Sequence, residues 1–210
     1  MFTREQYLAD PCKISSIPYW KAAFLSIPNG MEILHQDVYN KTGYPCHIDE
    51  PYFRLIHTLN DLSKPVLPQG YSLVTVPLSV YAEHINSCYS NIRITEDELQ
   101  SYTLRSVYDA ALWLAVQYDR TGDIVATSIA ELDSGIGEGV LEWIQVSEGH
   151  RRSGLGRYIV SELLWRMKDK ADFVTVSGQC NNATNPEKLY RKCGFFGNNV
   201  WHVLRKRNEV

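Results

Sequence analysis

Hydrophobic and polar positions follow two regimes along the 210 residues, irregular up to about Gln69 and periodic after it. Tyr71 to Val76 alternates and is rich in β-branched residues, which predicts a strand stopped by Pro77. Leu78 to Cys88 has helical spacing, and Thr95-Glu96-Asp97-Glu98 is a capping box that opens a second helix running to about Val107. Two apolar segments, Ala111 to Tyr118 and Ile124 to Glu131, flank Asp119-Arg120-Thr121-Gly122-Asp123 and predict a hairpin. Gly135, Gly137 and Gly139 form a second turn before a strand from Val140 to Val146. From Gly154 the positions Leu155, Ile159, Leu163 and Met167, joined by Val160 and Leu164, make the stripe of an amphipathic helix. Phe173 to Ser177 is a short β-branched strand. Asn185-Pro186 then opens a helix that Gly194 closes, and strands Phe195 to Phe196 and Val200 to Leu204 flank a Gly197-Asn198-Asn199 turn.

Residues 1–69 carry seven of the nine prolines with aromatics scattered between them, so short elements are expected. Met31 to Leu34 reads as a strand and Tyr52 to Leu62 as a helix ended by Lys64-Pro65. The boundary falls after Gln69. The order of elements implies an α/β or α+β sheet with one parallel crossover, between Val140–Val146 and Phe173–Ser177.

Composition narrows the function classes. At 44% hydrophobic and 21% charged the chain can bury a real core. Its longest apolar run, Ala110 to Val116, is seven residues, and the first residues open no signal-peptide apolar region, so a cytoplasmic protein with no membrane partner is expected. Five cysteines at wide spacing, without a Cys-x-x-Cys pair, argue for reduced and mostly buried thiols rather than disulfides or a zinc cage. The formal charge of −3 argues against nucleic acid as a partner. From Arg151 onward, however, twelve Lys and Arg stand against five Asp and Glu. Solvated charges on a helix-rich tail are the simpler account of that asymmetry; a segment that meets an anion is the other.

The chemistry concentrates in Val146-Ser147-Glu148-Gly149-His150-Arg151-Arg152-Ser153-Gly154-Leu155-Gly156, between a strand and a helix. Glycines there let a ligand approach the backbone, and the N–H groups opening the helix point outward with the positive end of its dipole behind them. Such a loop is a pyrophosphate cradle. It lacks the first glycine of the dinucleotide fingerprint and the Gly-Lys-Ser/Thr ending of the P-loop. Arg151-x-x-Gly154-x-Gly156, followed about thirty residues later by Leu189-Tyr190-Arg191-Lys192-Cys193-Gly194-Phe195, resembles the GNAT superfamily of acyl-coenzyme A dependent N-acetyltransferases. The likeness covers about residues 70–210.

The resemblance implies a GNAT-like fold: a mixed, mostly antiparallel sheet with one splayed parallel strand pair and flanking helices. Residues 1–69 have no counterpart in that core; Ile17-Pro18-Tyr19-Trp20 and Pro51-Tyr52-Phe53 carry apolar surface that a solvated linker would not bear, so an extension packed on the core is expected, as a wall of the acceptor pocket or as a belt away from it. The resemblance also implies acetyl-CoA as co-substrate and no metal, with a small amine or a protein or peptide amine as acceptor; a homodimer is left open. By resemblance, Arg151, Arg152, Ser153, Gly154, Leu155 and Gly156 hold the pyrophosphate, while Ile144 and Val146 border the pantetheine arm. Tyr190 corresponds to the general acid; a phenol of pKa ~10 stays protonated at neutral pH and can supply the leaving thiolate's proton.

The general base is less determined. Glu142 lies four residues before Val146, on the same face if the strand is regular, whereas a bulge would reverse that parity. Glu131 and Asp133 are the alternatives, and Glu138 is expected in an exposed glycine turn. The family's helix-proximal asparagine falls here on Ala183, which leaves Asn181, Asn182 and Asn185 as candidates. The six histidines show no ligand spacing and are expected to be structural or surface residues. An acyl-CoA-binding module without catalysis is the alternative function.

Overall fold

The computed structural model describes residues 2–24, 26–90 and 92–207. Along the chain the first elements are α1 (Arg4–Ala9), α2 (Pro11–Ile14), α3 (Tyr19–Ala22), β1 (Met31–His35), β2 (His47–His57) and β3 (Tyr71–Val74). Next come α4 (Leu78–Cys88), α5 (Glu96–Thr103), β4 (Trp113–Tyr118), β5 (Ile124–Asp133) and β6 (Glu138–Val146). The last are α6 (Leu155–Met167), β7 (Phe173–Gln179), α7 (Pro186–Lys192) and β8 (Phe196–Lys206). This is a mixed α/β fold with mostly antiparallel strand pairs and one parallel pair, β6 and β7, joined through α6 as the crossover predicts. The chain forms two compact units: residues up to His57 with those from Thr175 onward, and Thr58–Val174. The division falls at the end of β2 and inside β7, because β2 finds its partner strand near the C-terminus.

In the first unit β8 pairs antiparallel with β1 on one side and β2 on the other. Short helices precede them, the first two started by local chemistry. Thr3 and Gln6 form a reciprocal capping box on α1, and Asp10 caps α2 with Pro11 in its first turn. The Trp201 indole of β8 donates to the Cys12 carbonyl at 2.8 Å, tying α2 to the sheet.

Two sequence expectations fail in this unit. The expected helix at Tyr52 to Leu62 does not form: Tyr52 to His57 is the second half of β2 and residues 58–62 follow it as a loop with a turn, since the apolar residues fit either period and pairing with β8 decides for the strand. The expected pair of closing strands is the single strand β8. Gly197, at φ +111°, accommodates a bulge instead of a turn: Arg54 pairs with Asn199 and Ile56 with Phe196, leaving Gly197 and Asn198 opposite Leu55 alone.

The second unit is a meander, β3 to β6, each strand antiparallel to the next. Helix α4 matches its expected bounds, and α5 starts on the capping box but ends at Thr103, four residues early. Tyr81, Ala82 and Ile85 of α4 join Leu99 of α5 in a core cluster with Ala115 and Ile129 of the sheet. On β6 a bulge at Glu142 shifts the register: Leu141 pairs with Ala130 and Trp143 with Ile129, with Glu142 unmatched between them. Glu138 is fully buried, not exposed in the glycine turn, because β6 begins there in register with Asp133. Of the five cysteines, expected to be mostly buried, Cys12 is buried whereas Cys46 and Cys180 are exposed.

Gly178 is required by close packing in the first unit. A Cβ there would stand 2.6 Å from Cζ of Phe53, a ring that is 2% exposed. Gly178→Ala should therefore cost about 1–3 kcal/mol by overpacking. A lower urea midpoint would register that cost; an unchanged midpoint would mean that Phe53 moves aside freely.

Candidate functional site

The loop leaving β6 is shaped by its own hydrogen bonds. A 3₁₀ turn, Glu148–His150, follows Ser147, whose N–H donates to the Val125 carbonyl at 2.8 Å. That bond fixes the phase of the ladder. Ser147 and Val125 are a hydrogen-bonded pair, so by antiparallel alternation the N–H and C=O groups of Ile144 and Val146 point away from β5. The Val146 carbonyl accepts from Nε of Arg151 at 3.2 Å, folding that side chain back along the loop. Ser153 Oγ donates to the His150 carbonyl at 2.5 Å.

Two left-handed residues, Arg152 at φ +65° and Gly154 at φ +92°, turn the chain into α6. A Cβ on Gly154 would meet only Pro68 Cγ, at an ordinary 3.5 Å, so the backbone conformation rather than crowding calls for glycine. No side chain caps α6. Its first intrahelical bond on the ladder is Tyr158 N–H to Gly154 C=O, 2.9 Å, so the N–H groups of Leu155, Gly156 and Arg157 have no intrahelical acceptor. With exposed Arg151, Arg152 and Arg157 beside the positive end of a 13-residue helix, the loop suits a diphosphate.

Side chains anchor the loop at two points that sequence reasoning missed. His84 of α4, 6% exposed, reaches Thr127 Oγ1 of β5 through Nδ1 (2.8 Å) and Ser147 Oγ through Nε2 (2.9 Å). Gln145 Nε2 donates to the same Thr127 hydroxyl. Three residues on, His150 Nδ1 meets the Tyr71 hydroxyl at 3.0 Å, and its ring packs against Tyr118 at 4.9 Å. The signal for the first anchor was weak: His84 occupies a helix position between core residues Tyr81 and Ile85 and has no motif. Burial raises the thiol of Cys88 and the phenol of Tyr89, at the end of α4, and nearby Arg151 partly offsets both shifts.

Of the candidate bases, Glu131 is buried and ion-paired with Arg105 at 2.8 Å. Glu142 is half-buried on the β6 bulge, so the two-residue count that placed it on the face of Val146 does not carry across. Tyr190, Asn182 and Asn185 belong to the first unit. Asn185 caps α7 by accepting from Lys188 N–H, and the Asn182 carboxamide oxygen accepts from the amide and hydroxyl of Thr184. Tyr190, 7% exposed, packs its ring between Phe53 and Phe195 at 6.1 and 5.7 Å. Gly194, at φ +94°, ends that helix where a Cβ would lie 2.8 Å from the His57 ring. Burial lowers the pKa of His57, with the Cys193 backbone opposing. Among the described residues no group of three or more His, Cys, Asp or Glu could hold a metal ion. No helix among them is long and apolar enough to cross a membrane.

Residues 109–195 match the family model of the acetyltransferase (GNAT) domain. Solved structures agree on the fold. A GCN5-related N-acetyltransferase from Sphaerobacter thermophilus superposes with a TM-score of 0.65 at 19% identity, over 89% of this chain and 63% of that one. A GNAT-family acetyltransferase from Colwellia psychrerythraea gives 0.57 at 13% identity, over 83% and 64%. A functionally unknown conserved protein from Staphylococcus epidermidis gives 0.58 at 12%, over 99% and 82%. The chain thus spans under two thirds of the first two proteins. No curated protein matches its sequence at a significant level. The loop from Val146 to Gly156 lies within the stretch that matches the acetyltransferase (GNAT) domain model.

His84 makes the second unit sensitive to acid. Burial pushes its pKa down to about 4, only partly opposed by the Val125 backbone. An unfolded histidine titrates near ~6.5, so between these values the unfolded chain binds more protons and stability falls as pH falls, by about 3 kcal/mol across the window. Unfolding followed between pH 7 and pH 4 should show a shallower pH dependence in His84→Gln than in the parent. Equal slopes would remove His84 as the cause.

Proposed function

We propose that the chain moves an acetyl group from acetyl-CoA to a primary amine, on a small molecule, peptide or protein, by direct attack on the thioester. The observation that carries this reading is the uncapped start of α6 behind Gly154, lined with outward N–H groups and arginines inside a GNAT domain. Pyrophosphate oxygens accept from the N–H groups of residues 152–156, while Arg151 and Arg152 balance the charge. The outward N–H and C=O groups of Ile144 and Val146 suit an extended arm carrying amides, as an added strand would. Residues and substrate fit each other chemically at both places. The cytoplasm is the compartment this reading assigns.

In the transfer, the neutral amine nitrogen attacks the thioester carbon, and the C–N bond forms as the carbonyl electrons move to oxygen. Collapse breaks the C–S bond; Tyr190 gives its phenolic proton to the departing thiolate, and Glu142, or water held by it, takes the proton from nitrogen. The role of Tyr190 follows from the resemblance of its motif, and that of Glu142 rests on its place on β6, four residues before Val146. A chain that binds acetyl-CoA yet releases no coenzyme A with any of a panel of amines would instead be a binding module.

Acetyl-CoA at 100 times its dissociation constant should add about 2.7 kcal/mol to stability, visible as a thermal shift. Gly154→Val should abolish the shift, since a β-branched residue cannot hold the left-handed turn that aims the amides. A shift of equal size in the variant would make Gly154 a turn residue only. Tyr190→Phe keeps the ring packed on Phe53 and Phe195 and removes the proton donor. Cofactor binding should persist while turnover falls ~10²- to 10⁴-fold. Parent-like turnover would exclude Tyr190 as the acid.

A further inference from the structure

We propose that His84 is a positioning residue for the diphosphate loop, acting through Ser147; the inference rests on the acyl-CoA reading above. Ser147 is the first residue after Val146, where β6 ends and the chain turns into the loop. Its N–H is already committed to Val125, which fixes the backbone. Its hydroxyl is bound by His84 Nε2 at 2.9 Å, and the other ring nitrogen is bound to Thr127 Oγ1 at 2.8 Å. The imidazole is therefore a rigid bridge from the β5 strand to the loop, and Gln145 on the same hydroxyl stiffens its far end. Burial keeps the ring neutral, so one nitrogen donates and the other accepts, and each faces a hydroxyl that can do either. Among the described residues, His84 is the side chain that holds the Ser147 hydroxyl.

The bridge bears on binding because the loop's N–H groups must be aimed before a diphosphate arrives. A loop free to rock about Ser147 would lose ordering entropy on binding, which weakens affinity without altering any group that touches the ligand. The turn at His150 has its own anchor in Tyr71, so loss of the His84 contact loosens the start of the loop and leaves the rest held.

Calorimetric titration of acetyl-CoA into the whole chain and its variants tests this. Ser147→Ala, at a half-buried hydroxyl, should weaken binding roughly three- to tenfold, the worth of one neutral hydrogen bond. His84→Asn, whose amide reaches Thr127 but not Ser147, should do the same, and the double variant should bind no more weakly than either single. His84→Gln, whose amide can stand where Nε2 stood, should restore most of the affinity. Parent-like affinity in Ser147→Ala, or a His84→Asn that lowers the melting temperature while leaving affinity intact, would overturn the proposal and leave the acyl-CoA reading standing. A parent protein that fails to bind millimolar acetyl-CoA would overturn both.

Discussion

A helix that begins without a side-chain cap carries N–H groups that have no intrahelical acceptor, and the second unit is arranged around that condition at α6. The residue before α6 is left-handed, at φ +92°, a conformation that favours glycine over a capping serine or aspartate. Gly154 meets that demand and gives up the capping side chain in doing so. The cost is small in water, where solvent serves the amides, and it becomes a gain once an anion takes its place. Arg151 folds back on Val146 instead of reaching across the helix start, which keeps the amides open and leaves its charge nearby.

The strand that feeds this loop is irregular for a related reason. Up to Leu141, β6 pairs with β5 in one register, and from Trp143 in another, with Glu142 between. Beyond the bulge, Trp143 joins the core formed with α4 and α5, while the polar groups of Ile144 and Val146 turn away from β5. A bulge adds twist and bends the strand, and here it separates a segment that builds core from one that offers backbone.

What the sequence revealed follows this division. Helix α4 was legible to the residue because an apolar stripe lies between Pro77 and a polar stretch, and α5 because its capping box is local chemistry. The loop and α6 were legible from two glycines and a stripe. Long-range pairing was not: Tyr52 to His57 carries apolar residues that satisfy either period, and the strand that decides between them, β8, lies more than a hundred residues away. The bulge at Glu142 leaves no mark in residue type, so a parity count runs through it unawares. The His84 bridge joins residues 43 and 63 positions apart with side chains common in any helix or strand, so no spacing rule could have singled it out.

Charge and rigidity are supplied by different residues, and burial sorts them. Arg151, Arg152 and Arg157 are exposed, where a guanidinium keeps its hydration and costs little to hold beside a helix dipole. His84 is buried, where a charge would be expensive, and its pKa of about 4 means the ring stays neutral throughout the physiological range. A lysine at that position would reach one hydroxyl and bring a charge to be desolvated; a leucine would fill the space and leave the Ser147 and Thr127 hydroxyls without their bridge. A neutral imidazole has two polar atoms on a rigid ring, and so can connect β5 to the loop without altering the field that the arginines and the helix present to an anion.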